Sequence, residues 1–154
     1  MKKTSNPNAS KTTEGISSNR KSPPELFVQK PRPDLNGKRV KLPGDDNPKV
    51  WLIDNGYRRL IPSMGTYENL FGKSTADIIR DIDIDKIPEA LPISDGAILA
   101  CGFGTSPVYL IDAGCKRWVI TGEIMNQYRF PVRSVQFVPP ILLFSIPSGA
   151  VLDS

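Results

Sequence analysis

The sequence predicts a β-rich α+β fold made of two tandem units that share one core. Three observations carry this prediction. Residues 50–62 (VWLIDNGYRRLIP) and 108–120 (VYLIDAGCKRWVI) align without a gap, matching at Val50/Val108, Leu52/Leu110, Ile53/Ile111, Asp54/Asp112, Gly56/Gly114 and Arg59/Arg117. An Ile-Pro step recurs downstream of each copy, at Ile87-Pro88 and Ile146-Pro147. A unit of about 55 residues buries too small a fraction of its surface to be stable alone, so two copies are expected to fold as one body.

The domain layout follows. Residues 1–35 read as a basic leader and linker, and residues 36–154 as the repeat domain. Unit one spans 36–94, unit two 95–147, and a closing strand 148–154. The leader is rich in Ser, Asn, Lys, Thr and Pro with no apolar periodicity, a composition that cannot offset its ordering entropy. It is expected to be disordered over 1–24 and dispensable for folding.

Each unit opens on an echoed segment, Asn36-Gly37 in NGKRVKL and Asp95-Gly96 in DGAILAC. A β-hairpin follows. In unit one, residues 49–54 and 57–61 flank Asn55-Gly56; in unit two, 107–112 and 115–120 flank Ala113-Gly114. Glycine supplies the positive φ that a tight hairpin turn requires. Asp54 and Asp112 are placed to accept from turn amides.

A short helix comes next in each unit. Residues 63–72 offer a hydroxyl cap, then Tyr67, Leu70 and Phe71 at helical spacing, then a Gly stop. Residues 121–130 offer Ile124, Met125 and Tyr128 before Pro131. Residues 75–82 and 132–138 are apolar at alternate positions and read as strand or irregular chain. The final SGAVLDS resembles the opening strand of a third unit. With no hairpin after it, it is expected to pair into the existing sheet, with NGKRVKL as the candidate neighbour.

Charge and composition narrow the function. Seven of the 20 Lys and Arg lie in residues 1–35 against three acidic residues, which leaves thirteen of each sign in 36–154. The formal net charge of +4 therefore belongs to the leader, whereas a specific nucleic-acid-binding domain carries its charge on the fold. The chain has no histidine, so Ser-His and Cys-His nucleophile systems are excluded. Two cysteines cannot make a four-thiolate metal site. Cys101 and Cys115 are expected at opposite ends of neighbouring strands, too far apart for a disulfide. The N-terminus lacks the apolar stretch of a signal peptide. The run at 139–147 contains prolines and is too short to span a bilayer. No cofactor or catalytic constellation is expected.

Aspartates 81, 83 and 85 alternate, but a calcium loop would need Gly and Glu where Lys86 and Pro92 stand. They read as a solvated face or helix start. The glycine-rich stretch 102–107 lacks a P-loop Lys and leads into a strand, so it reads as a connection. The candidate ligand-binding residues are Arg59 and Arg117, shared by the two units, together with Trp118 and Tyr67. The arginines suit an anionic or sugar ligand, or alternatively a structural ion pair with Asp54 and Asp112 or with the 81–85 run. Trp51/Tyr109, Leu60/Trp118 and Tyr67/Tyr128 are the pairs from which sugar-stacking platforms would come, against the alternative that they fill the core.

The hairpin, the basic pairs Arg58-Arg59 and Lys116-Arg117, the Thr66-led helix and the Ile-Pro steps resemble a tandem repeat of secreted and surface-associated bacterial proteins. Unit one matches the pattern well. Unit two departs at Cys115 and at Val119-Ile120, where the pattern has Ile-Pro. Such repeats are often appended to cell-wall hydrolases, and the resemblance implies attachment or glycan binding at a cell surface. The expected function is a non-catalytic binding or adhesion module for a bacterial-surface or host glycan. The alternative is a protein-interaction or structural module without glycan binding.

Overall fold

The computed structural model describes residues 28–44, 46–80 and 82–154. The expectations for residues 1–24, and for Asp81, lie outside the described residues. The fold is β-rich α+β, with two four-stranded sheets of identical topology. Unit one runs β1 (Arg39–Lys41), β2 (Val50–Asp54), β3 (Tyr57–Ile61), α1 (Met64–Phe71) and β4 (Ile78–Arg80). Unit two repeats this as β5 (Ile98–Gly102), β6 (Val108–Asp112), β7 (Cys115–Val119), α2 (Gly122–Gln127) and β8 (Val135–Val138). The strand orders are β3-β2-β1-β4 and β7-β6-β5-β8, each antiparallel except for a parallel last pair. The helix is thus a crossover that returns the chain to pair parallel with the unit's first strand. A helical turn follows in each unit, a 3-10 turn at Ile82–Lys86 and α3 at Pro140–Ser145.

The two hairpins share one turn geometry. Asn55 and Gly56 have φ of 51° and 78°, and Ala113 and Gly114 have 50° and 72°. Positive φ at both central residues matches the right-handed twist of the flanking strands. The helices start alike as well. Ser63 Oγ accepts from Thr66 N at 3.1 Å and Thr121 Oγ1 from Ile124 N at 3.3 Å. Aligning these caps sets Tyr67 against Met125 and Leu70 against Tyr128, so Tyr67 and Tyr128, paired above as a candidate platform, are not structural equivalents.

One core spans both units. Leu52, Ile61, Tyr67, Leu70 and Phe71 pack with Leu99, Leu110, Val119, Ile124 and Tyr128 in a single cluster. A smaller cluster on the far side of the first sheet holds Val40, Trp51, Ile53, Ile84 and Ile87. Alternation explains the split: within β2, Leu52 faces the shared core while Trp51 and Ile53 face outward.

The C-terminal segment corrects the sequence reading. Residues 148–152 do not lie beside NGKRVKL, which is flanked by β2 and β4. They run along β7 instead. Lys116 N donates to Pro147 O, Gly149 N to Lys116 O, and Leu152 N to Trp118 O. Unit one closes in the same way along β3, through Arg58 N to Pro88 O, Ala90 N to Arg58 O, and Ile93 N to Leu60 O. SGAVLDS is therefore the closing edge of unit two, equivalent to residues 89–93, and not the opening of a third unit. Its position follows from the Ile-Pro step before it, since proline has no N–H to give and ends the preceding turn.

Candidate functional site

Arg59 and Arg117 occupy the joint between the units. Both lie on the inward-facing side of their strands and are buried. Arg59 donates to Asp54 of its own unit at 3.0 Å and to Asp112 of the other at 2.6 Å. Arg117 crosses in the opposite sense and pairs with Asp54 through both terminal nitrogens. Each Nε is taken by a closing segment, Arg59 by Leu91 O and Arg117 by Ala150 O, both at 2.9 Å. Asp112 also accepts from Ser94 N and Oγ.

Burial alone would raise the Asp54 carboxyl. The hydrogen bonds and charges of Arg117 and Arg59 outweigh it and hold the group below the ordinary carboxylate value. Tyr128 points at Asp54 from 3.4 Å, and burial and then that charge raise its phenol. Two cations and two anions thus neutralise one another across the joint, and their hydrogen-bonding capacity is directed inward. The turn amides that the aspartates were expected to serve are served by others. Gly56 N donates to Asn36 Oδ1, and Ala113 N to Ser94 Oγ.

Tyr67 is buried too. Its hydroxyl accepts from Arg39 and donates to Ser74 O at 2.7 Å. Arg39 lies over the Phe71 ring at 4.6 Å, so a guanidinium on aromatic faces fills this end of unit one. Asp83 and Asp85 of the alternating run are exposed, and Asp85 pairs with Arg58 at 2.8 Å. Cys101 pairs with Val108 at one end of β6 and Cys115 with Asp112 at the other, and both thiols are free.

Trp118 differs from the other three candidates: 43% of its surface is exposed. It stands on the rim of a groove of about 470 Å³ between the open end of the second sheet and the start of α2. Val108, Val119, Met125, Val135 and Phe137 supply apolar walls. Thr105, Ser106 and Thr121 supply the hydroxyls.

Unit one carries the same groove in smaller form, about 280 Å³, lined by Val50, Leu60, Ile61, Ser63, Met64 and Tyr67 among others. Position by position, Val50 answers to Val108, Leu60 to Trp118, Ile61 to Val119, Ser63 to Thr121 and Tyr67 to Met125. The repeat therefore builds the groove twice, and unit two enlarges it by replacing Tyr67 with Met125 and Met64 with Gly122. Phe103 stacks on Phe137 at 6.3 Å between ring centres and extends the apolar wall onto the surface. The residues that sequence reasoning missed here are Phe103, Val132 and Phe137. Their signal was an aromatic or aliphatic residue beside a glycine-rich connection and on a very short strand.

Among the described residues, no group of three or more Cys, Asp or Glu is placed to hold a metal ion. No helix among them is long and apolar enough to cross a membrane. No protein-family model, no curated protein and no solved structure matches this chain.

Proposed function

We propose that the protein is a non-catalytic binding module whose ligand is another polypeptide, held at the Trp118 groove of unit two. The observation that carries this is the crowding of exposed large apolar side chains around that groove. Phe103, Trp118, Ile120, Val132 and Phe137 are all exposed there, whereas the smaller groove of unit one carries a single exposed large apolar side chain, Met64, beside Lys49 and Ser63. Contiguous exposed apolar surface, rich in aromatics and Met, is what protein interfaces use. Carboxylate, amide and guanidinium groups meet sugar hydroxyls with two hydrogen-bonding atoms each, and this groove's side chains offer three single hydroxyls instead. The guanidinium groups of Arg59 and Arg117 are engaged at the joint, and the Tyr67 ring is buried.

The test pans a random peptide-display library over the full chain and over a Trp118→Ala, Phe137→Ser variant, with a glycan array alongside. The expected outcome is enrichment of peptides bearing paired aromatic or aliphatic residues on the parent chain alone, with the array blank. Saturable binding of an array glycan that depends on Trp118, with no peptide enriched, would replace the polypeptide by a sugar. An empty library and an empty array would sink both readings.

A further inference from the structure

The chain's own segment covers an edge of unit one, and among the described residues the copy of that edge in unit two is open. In unit one, the extended segment just ahead of the repeat lies across the hairpin turn and the helical turn that follows β4. Lys30 N donates to Lys86 O at 2.9 Å, and Arg32 N to Gly56 O at 2.8 Å. Gln29 Nε2 reaches Asp85 O at 3.1 Å. The spacing has a physical reason. In an extended chain alternate residues face the same way, so the amides of Lys30 and Arg32 point to one side. Pro31 between them has no N–H to leave unpaired. The approach is close: a Cβ on Gly56 would sit 2.9 Å from Arg32 N and 3.1 Å from Pro31 Cβ.

No described residue covers the corresponding edge of unit two. Gly114 takes the place of Gly56, Lys116 of Arg58, and Phe144 and Ser145 of Asp85 and Lys86, counting back from the Ile-Pro steps. A Cβ on Gly114 would meet nothing within 4 Å. The chain that precedes unit two cannot cover this edge, because residues 88–93 are committed to closing unit one along β3.

The side chains have also changed character. Unit one presents Arg58 paired with Asp85 and Glu89. Unit two presents Lys116 beside Tyr109 and Phe144, with Ile141, Leu142 and Phe144 exposed on α3, Phe144 by 77%.

We infer that the unit-two edge formed by the 113–114 turn, Lys116 and α3 docks an extended, proline-containing polypeptide segment of a partner protein. Unit one displays the bound form of that segment within the same chain. The segment contributes two backbone N–H groups flanking a proline, directed at Ser145 O and Gly114 O. It carries an aliphatic or aromatic residue where the unit-one segment carries Lys30, because the unit-two edge exposes Ile141, Leu142 and Phe144 on α3. The inference rests on the polypeptide-binding reading but uses a different edge from the Trp118 groove.

The test titrates two synthetic peptides into the isotope-labelled full chain and follows backbone amide signals. One has the sequence of residues 28–36 (VQKPRPDLN); the other carries Lys30→Leu. Signals of Gly114, Lys116, Phe144 and Ser145 should move saturably. Those of Gly56 and Lys86 should stay, because the tethered segment there outcompetes a free peptide. The Leu peptide should bind at least about fivefold tighter, a difference of roughly 1 kcal/mol. In a Phe144→Asp chain, which removes the exposed aromatic of that edge, the preference for the Leu peptide should be lost.

Absence of saturable shifts at Gly114 and Ser145 up to about 1 mM peptide would overturn the inference. So would self-association of the chain that Phe144→Asp abolishes, since a second copy would then be what covers α3. A library peptide that binds at Trp118 while neither leader peptide touches Gly114 would remove this inference alone and leave the proposed function standing.

Discussion

Asp54 shows what a shared residue in a repeat is for. Its carboxylate is the one acceptor used by arginines of both units, so its removal strips Arg117 of its carboxylate partner and leaves Arg59 with Asp112 alone. Breaking a buried ion pair from one side costs about 3–5 kcal/mol, far more than the pair itself adds. Asp54→Asn should therefore lower the unfolding free energy by roughly that amount in a denaturant titration. A change under about 1 kcal/mol would mean the arginines find other partners. The pH dependence has a definite sign. The carboxyl is held below its usual value when folded, so its contribution is complete above the unfolded value of 3.8 and is lost as pH falls through the folded one. Parent protein should lose stability below about pH 4, and the Asn variant should lose less over the same range. Ala113 is a second informative residue. It holds φ of 50°, a region where an ordinary side chain costs about 1–2 kcal/mol, while unit one uses Asn55 at the same place. Ala113→Asn should raise stability by about 0.5–1 kcal/mol. No gain in denaturation midpoint would show that the turn is not strained.

At the scale of elements, the caps carry more than helix starts. Ser63 Oγ and Thr66 Oγ1 both donate to Asp95, at 2.6 and 2.7 Å, and Gly96 N donates to Thr66 Oγ1. The cap of α1 thus fixes the entry into unit two, whereas Thr121 caps α2 alone. Ser63→Ala should cost more than Thr121→Ala, both of order 1 kcal/mol, in thermal or denaturant unfolding. Equal costs would mean that Asp95 adds nothing to the joint.

The elements also divide by how they are written in the sequence. Hairpins and capped helices were legible because Asn-Gly, Gly-stop and hydroxyl-cap chemistry is local. The strands β4 and β8 were legible only as strand or irregular chain, because a three- or four-residue parallel strand is defined by its neighbour. Residues 78–80 gain their character only from pairing with Arg39–Lys41. The helix α3 was hidden because its apolar residues are largely exposed, so no amphipathic period marks it. The equivalence of 148–152 with 89–93 was masked by the chance likeness of SGAVLDS to DGAILAC. Of the candidate site residues, Trp118 alone reached a surface. The arginines were readable as an ion pair but not as a crossed one, since contact between units is invisible to either unit's sequence.

At the scale of the molecule, the two units should unfold as one. Leu152, 1% exposed, is the last apolar side chain of unit two, yet it packs in the cluster that holds Leu52, Leu70 and Phe71 of unit one. Removing its branched end leaves a cavity in the common core, and substitutions of this kind cost about 2–5 kcal/mol. The chain contains two tryptophans, one in each unit. Trp51 is buried in unit one and Trp118 is partly exposed in unit two, so single-tryptophan chains report on each unit separately. Trp51→Tyr has a precedent at Tyr109, and Trp118→Leu at Leu60. Leu152→Ala placed in both backgrounds should shift the two unfolding midpoints together and by the same amount. The physical reason is that neither half of the core survives alone: unit one without Leu99, Leu110 and Tyr128 exposes Leu52 and Phe71, and Arg59 loses Asp112. If the Trp118 midpoint falls while that of Trp51 stays, unit one is independently stable. The crossed arginines would then join two domains rather than complete one.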